Sequence, residues 1–201
     1  MSKSKELTNN GYILDPMFLD LESTRLDGSF GHLISSAVVY GSSDTVTAIS
    51  IGDAKRDVCN LKGMAACRKG FCDRRLSLWT KEKVENADFI VGWNSKLFDI
   101  PLLNTRLILH NERPVFPTMH LDLMYTAGWG SARFYSRRLD AVARSLNVPN
   151  EKTSLDVVTW RAAGDGNPRA IAEIVKHNKL DVLVTRDCFL HLKPLVKSLH
   201  R

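Results

Sequence analysis

The sequence predicts an α/β fold: a mixed central β-sheet flanked by helices, with a helical C-terminal half. Three observations carry the prediction. Short apolar runs, bounded by Gly, Pro, Ser or Asp, fill the first part of the chain and read as strands. From Arg74 such runs alternate with segments of helical periodicity. From Leu139 onward the apolar spacing is helical throughout. Strands, then alternation, then helices describe one layered α/β domain.

The elements follow in order. Residues 1–15 are a polar leader, and 16–201 form a single domain, a length that suits one sizeable core. Met17 to Leu21, after Pro16, is a buried strand. His32 to Tyr40 and Thr45 to Ile51 flank Gly41-Ser42-Ser43-Asp44 and predict a hairpin. Arg74 to Glu85 sets Leu76, Trp79 and Val84 along one side of a helix. Phe89 to Trp93 is another short buried strand. Ile100 to His110 is a helix with Pro101 in its first turn, where proline is tolerated. His120 to Leu123 is the last strand. Leu139, Val142, Ala143 and Leu146 form one helical stripe. Asn167-Pro168, a capping side chain followed by proline at the first helical position, starts a region that runs to about Leu192, broken at most once.

Composition excludes several classes. The hydrophobic share of 44% is that of a folded globular chain. No run approaches the roughly 20 apolar residues of a membrane span. Met1 to Gly11 lacks the apolar core of a secretory signal, so the expected location is the cytoplasm or a nucleus. Cys59, Cys67 and Cys72 crowd one segment, but without paired knuckles they and Cys188 are expected to be free thiols rather than zinc ligands. A net charge of +6 favours a polyanionic partner. Lys55, Arg56, Lys62, Arg68, Lys69, Arg74 and Arg75 face only Asp53, Asp57 and Asp73 in the same stretch. A second cluster, Arg133, Arg137, Arg138 and Arg144, is interleaved with Trp129, Phe134 and Tyr135. Cations mixed with aromatics suit single strands, whose phosphates need charge and whose bases need stacking platforms. Either cluster alone also fits a solvated face.

Carboxylates stand in three places where burial is expected. Asp20 and Glu22, two apart on a strand, project to one face. Paired carboxylates repel unless protonated or bridged by a cation, or unless both simply reach water. Asp99 follows a buried strand and the turn Asn94 to Phe98; its plainer role is a helix cap. Asp181 lies four residues after His177, one helical turn on, where an exposed ion pair is also common. Together these residues match what two hard divalent ions require: about four carboxylates and a group that orients or deprotonates water.

These segments resemble the DEDD superfamily of 3′–5′ exonucleases. Phe18-Leu19-Asp20-Leu21-Glu22-Ser23-Thr24 looks like its first motif, and Val91-Gly92-Trp93-Asn94-Ser95-Lys96-Leu97-Phe98-Asp99-Ile100-Pro101 like its second. His177-Asn178-Lys179-Leu180-Asp181 stands where the third belongs, and the likeness runs from about Pro16 to Leu192. Nearest by eye are the proofreading domains of B-family DNA polymerases and their stand-alone relatives. The resemblance implies a ribonuclease-H-like fold and two Mg²⁺ or Mn²⁺ ions. Asp20, Glu22 and Asp181 would hold one ion, and Asp20 would bridge to a second held by Asp99. Asn94 and Phe98 would line the terminal nucleotide, with Thr24 and the backbone near Leu21 and Glu22 against its 3′ end. Trp129, Arg133, Tyr135, Arg137 and Arg138 would form the strand path. The expected partner is a single-stranded 3′ end, DNA favoured over RNA, and the role proofreading or nucleic-acid processing. Proofreading would occur beside a separate polymerase.

One departure matters. The family has tyrosine four positions before the last aspartate or histidine five before it. Here histidine takes the tyrosine position, and Lys176 stands where the usual histidine falls. On a helix the two positions differ by about 100°. His177 therefore serves either as a general base or only as an orienter of water. The alternative function is a catalytically weak or inactive binding domain on the same fold.

Overall fold

In the computed structural model the described residues are 8–9, 12–53, 59, 61, 72–128, 131–150 and 153–196. Two short strands, β1 (Thr8–Asn9) and β2 (Tyr12–Ile13), pair antiparallel apart from the main sheet. That sheet has five strands in the order β5-β4-β3-β6-β7. Its first three, β3 (Pro16–Ser23), β4 (Leu33–Tyr40) and β5 (Thr47–Ser50), form an antiparallel meander. β6 (Phe89–Gly92) adds parallel to β3, and β7 (His120–Asp122) parallel to β6. The sheet is mixed, as the sequence predicts.

Alternation along β3 sorts its side chains. Met17, Leu19 and Leu21 enter a core shared with α1 (Arg74–Glu85) and α2 (Asp99–Leu109), through Leu76, Val84, Leu103 and Leu107. Phe18 enters the opposite core, with Val142 of α4 (Leu139–Leu146) and Val182, Cys188 and Phe189 of α6 (Pro168–Leu192). The Phe18 and Phe189 rings meet edge-on at 5.3 Å, a contact favoured by their quadrupoles. Helices cover both faces, so β6 and the first half of β3, Met17 to Leu19, are apolar and buried on both sides.

Helix ends follow local chemistry, and two elements differ from expectation. The predicted last strand stops at Asp122, because its carboxylate accepts the Met124 N–H at 3.1 Å and starts α3 (Leu123–Gly128). Between α4 and α6 a separate helix, α5 (Val157–Gly164), is capped by Asp156, which accepts the Thr159 N–H. Finally, α6 is one unbroken helix of 25 residues. Asn167 caps it through the Arg169 and Ala170 N–H groups, and neither Gly nor Pro interrupts it after Pro168. Among the described residues no helix is long and apolar enough to cross a membrane.

Candidate metal centre

The face of β3 that carries Phe18 continues through Asp20 and Glu22, so the strand delivers both carboxylates towards α6. On α6 the buried stripe is apolar above and below, through Ile171, Ile174, Val184 and Phe189, but polar in the middle. There His177, Asn178 and Asp181 face the sheet while Lys176 is exposed. Helical rotation thus selects histidine, not lysine, for the site.

Asp20 is fixed by Asn178, whose Nδ2 donates to its carboxylate at 2.6 Å and to its backbone carbonyl at 3.1 Å. Ser35 of β4 donates to Asn178 Oδ1 at 2.8 Å, which sets the direction of the amide. His177 Nε2 lies 3.6 Å from Glu22 Oε1 and 3.7 Å from Asp181 Oδ2. Its Nδ1 pairs with Thr153 Oγ1 at 2.6 Å, and Trp160 of α5 meets the ring edge-on. Neither Asn178 nor Thr153 was expected from sequence. The signal for Asn178 was an amide on an otherwise buried stripe between two site residues; Thr153, in a loop, gave none.

Asp99 joins from the other layer. It is buried, and its Oδ1 accepts the Leu21 N–H at 2.8 Å, so it reaches across to β3. Burial, then the charge of Asp20, push its carboxyl well above the usual carboxylate range despite that hydrogen bond. Acids held this close are eased by a cation. The donor set, carboxylate oxygens from β3, α2 and α6 with one imidazole, fits a divalent ion; Glu22, His177 and Asp181 each offer a donor atom within 4.8 Å of the others.

The turn from β6 to α2 is built to place Asp99. Asn94 is left-handed (φ 63°), and its carbonyl accepts the Leu97 and Phe98 N–H groups. Gly92 is required because a Cβ there would collide with the Ser95 side chain. Buried Ser95 pairs with His120 Nε2 at 2.8 Å. Burial, with Lys96 nearby, lowers that imidazole to about 4, so it is neutral at physiological pH. Asp122 accepts the Asn94 and Lys96 N–H groups and clamps the turn.

The remaining expected residues are distributed as follows. Leu21 buries its side chain in the core and commits its amide to Asp99. Thr24 exchanges hydrogen bonds with His32 and packs against Gly164. Phe98 is half-buried against the α2-side core. Asn94 lines an open groove of about 760 Å³ with Trp93, Met124, Arg137 and Arg138. Trp93 Nε1 donates to the Arg137 carbonyl, tying the two walls together. Arg133 and Tyr135 are exposed but do not line that groove, and Trp129 lies outside the described residues. So do Lys55, Arg56, Lys62, Arg68, Lys69 and Cys67. Cys59, Cys72 and Cys188 are free thiols. Burial and the neighbouring Asp187 push Cys188 up to about 12, so it is inert.

A second trio, Cys72, Asp73 and His110, also has metal-binding spacing. Its carboxylate is already filled. Asp73 accepts Arg106 Nε at 2.7 Å and Nη2 at 3.0 Å, the Leu33 N–H at 2.9 Å, and pairs with His110 Nε2 at 2.7 Å. No lone pair is left for an ion.

The family model described as the RNase H superfamily matches residues 17–192. A search of curated proteins finds no match. Among solved structures, the chain is similar to the family B DNA polymerase of the hyperthermophilic archaeon Pyrobaculum calidifontis, with a TM-score of 0.65 and 18% identity. The match covers 92% of this chain and 26% of the polymerase, so the likeness is one of fold over about a quarter of that protein.

Proposed function

The chain belongs to the RNase H superfamily, a nuclease fold, and on that premise we propose that it is a two-metal 3′–5′ exonuclease acting on single-stranded nucleic acid, DNA in preference to RNA. The convergence of Asp20, Glu22, Asp99 and Asp181 with His177, from three elements onto one site, carries this reading. Asp20, Glu22 and Asp181 would hold one Mg²⁺ or Mn²⁺ ion, and Asp20 and Asp99 would hold the second. When bound, such ions supply an activated water and neutralise charge on the attacked phosphate.

The protein's own part is positioning. Asn178 aims Asp20, the Leu21 amide holds Asp99, and Asp122 clamps the turn that carries it. Asn94 and Phe98 line the place of the terminal nucleotide. Arg137 and Arg138, which line the same groove as Asn94, steer the strand by its phosphates. The products are nucleoside monophosphates. A polymerase relative of this fold makes 3′ ends at a separate polymerase a reasonable source of substrate, and co-purification with one tests that partner.

The deciding experiment incubates the protein with 5′-labelled single-stranded DNA and RNA in Mg²⁺, Mn²⁺ or EDTA, beside Asp20→Ala. A metal-dependent ladder shortening from the 3′ end, absent in the variant, is expected. Retention of single strands and metal with no degradation would replace this reading with that of a binding domain.

A further inference from the structure

Building on the two-ion reading of this site, we infer that His177 is itself a ligand, through Nε2, of the ion held by Glu22 and Asp181, and that this ion is Mn²⁺ rather than Mg²⁺. The distances lead there. Nε2 stands 3.6 Å from Glu22 Oε1 and 3.7 Å from Asp181 Oδ2. Both separations are too long for hydrogen bonds, and they are nearly equal. An octahedral ion with ligands at about 2.1 Å sets adjacent donors about 3.0 Å apart and opposite ones about 4.2 Å apart. Both separations exceed the adjacent spacing by less than about 1 Å, so a small inward shift of the side chains brings Nε2 and the two carboxylates onto one ion.

The ring is held for this role on its other edge. A ligating Nε2 must be unprotonated, which places the proton on Nδ1, and Thr153 Oγ1 stands 2.6 Å away to accept it. Trp160 packs edge-on against the imidazole, and only 7% of His177 is exposed. Fixed at both ends of the ring, the nitrogen points at the two carboxylates rather than towards solvent. The one-residue departure in spacing has a consequence here: a donor four positions before Asp181 shares its face of α6, and Lys176, five before, does not.

An imidazole in the shell decides the cation. Mg²⁺ takes carboxylate, carbonyl and water oxygens, whereas nitrogen donors favour first-row transition ions. Three carboxylates with one imidazole keep the site hard enough for Mn²⁺ and handicap Mg²⁺. Thr153 is a positioning residue acting through His177.

The test is electron spin-echo spectroscopy of the full chain loaded with Mn²⁺, with calorimetry of Mn²⁺ and Mg²⁺ binding. Nitrogen-14 modulation is expected in the wild type and lost in His177→Gln at saturating Mn²⁺. In that variant the Mn²⁺ Kd should weaken at least about tenfold while the Mg²⁺ Kd moves less. Thr153→Val should weaken Mn²⁺ by roughly 10- to 100-fold and retain the modulation, since it disturbs the ligand's support and not the ligand. Bound Mn²⁺ with no nitrogen modulation in the wild type overturns the inference and leaves the carboxylate site standing. A wild type that binds neither ion overturns the two-ion reading with it. Because the spectroscopic arm uses the wild type, poor folding of a variant cannot obscure the outcome.

Discussion

Asp73 and Asp99 are both buried carboxylates at the start of a helix, one before α1 and the other opening α2, yet their protonation is pushed in opposite directions. Burial raises both. Around Asp73, hydrogen bonds from His110 and Arg106, the Arg106 charge and the Leu33 amide outweigh burial and hold the carboxyl well below the usual range. Around Asp99, the charges of Asp20 and Asp122 add to burial, and backbone N–H bonds offset them only in part. One cluster brings its own cation and bolts α1 and α2 to β4. The other is built from like charges, and on the proposed reading takes its cation from outside. Buried acids are therefore not a site by themselves; the sign of their neighbours separates a bolt from a metal centre.

The comparison can be broken at the bolt. Asp73→Ala strands the wholly buried Arg106 guanidinium and is expected to cost about 3–5 kcal/mol in urea denaturation. Adding Arg106→Met should recover part of that loss, because the buried charge goes with its partner. Metal affinity of whatever fraction folds should not change.

Loading the centre is the next largest effect. Mn²⁺ at about 100 times its Kd should stabilise the wild type by about 2.7 kcal/mol, read as a rise in Tm, with no rise in Asp20→Ala. Asp99→Asn sharpens the contrast, since it should stabilise the metal-free protein while costing more than about 100-fold in hydrolysis. A metal-free Asp99→Asn less stable than wild type would mean that its charge is already balanced.

Acid and base separate the two clusters further. Asp73, depressed in the folded state, contributes stability above its unfolded value of about 3.9, and that contribution is lost as pH falls through the folded value. Asp99, raised in the folded state, works the other way: its contribution is present at low pH and is lost as pH rises through its folded value. In EDTA, Asp99→Asn should flatten the decline above about pH 4. Asp73→Ala should flatten the acid limb instead. The smallest effect lies in the groove, where Arg137→Ala should reduce the salt slope of single-strand binding by about one.

Most of the site was written locally. Asp20 and Glu22 could be placed on one face because a strand alternates, and Asp181 and His177 because a helix repeats every 3.6 residues. The cap at Asn167 and the proline in the first turn of α2 are local too, and both stand where the sequence put them. α3 was missed because its start depends on Asp122, which doubles as the clamp of a turn 28 residues earlier. Cys72, Asp73 and His110 gave no pattern at all, since their meeting is a product of packing α1 on α2.

By itself, then, the sequence determined the order of elements, the mixed α/β class and the candidate acids, all of which rest on short-range periodicity and motif spacing. Only tertiary structure decided which acids face each other, which are neutralised by a buried arginine, and how the amide of Asn178 and the hydroxyl of Thr153 orient the site. Those outcomes depend on distances between segments as many as 158 residues apart, and at that range a charge is felt only after the chain has folded to bring it near.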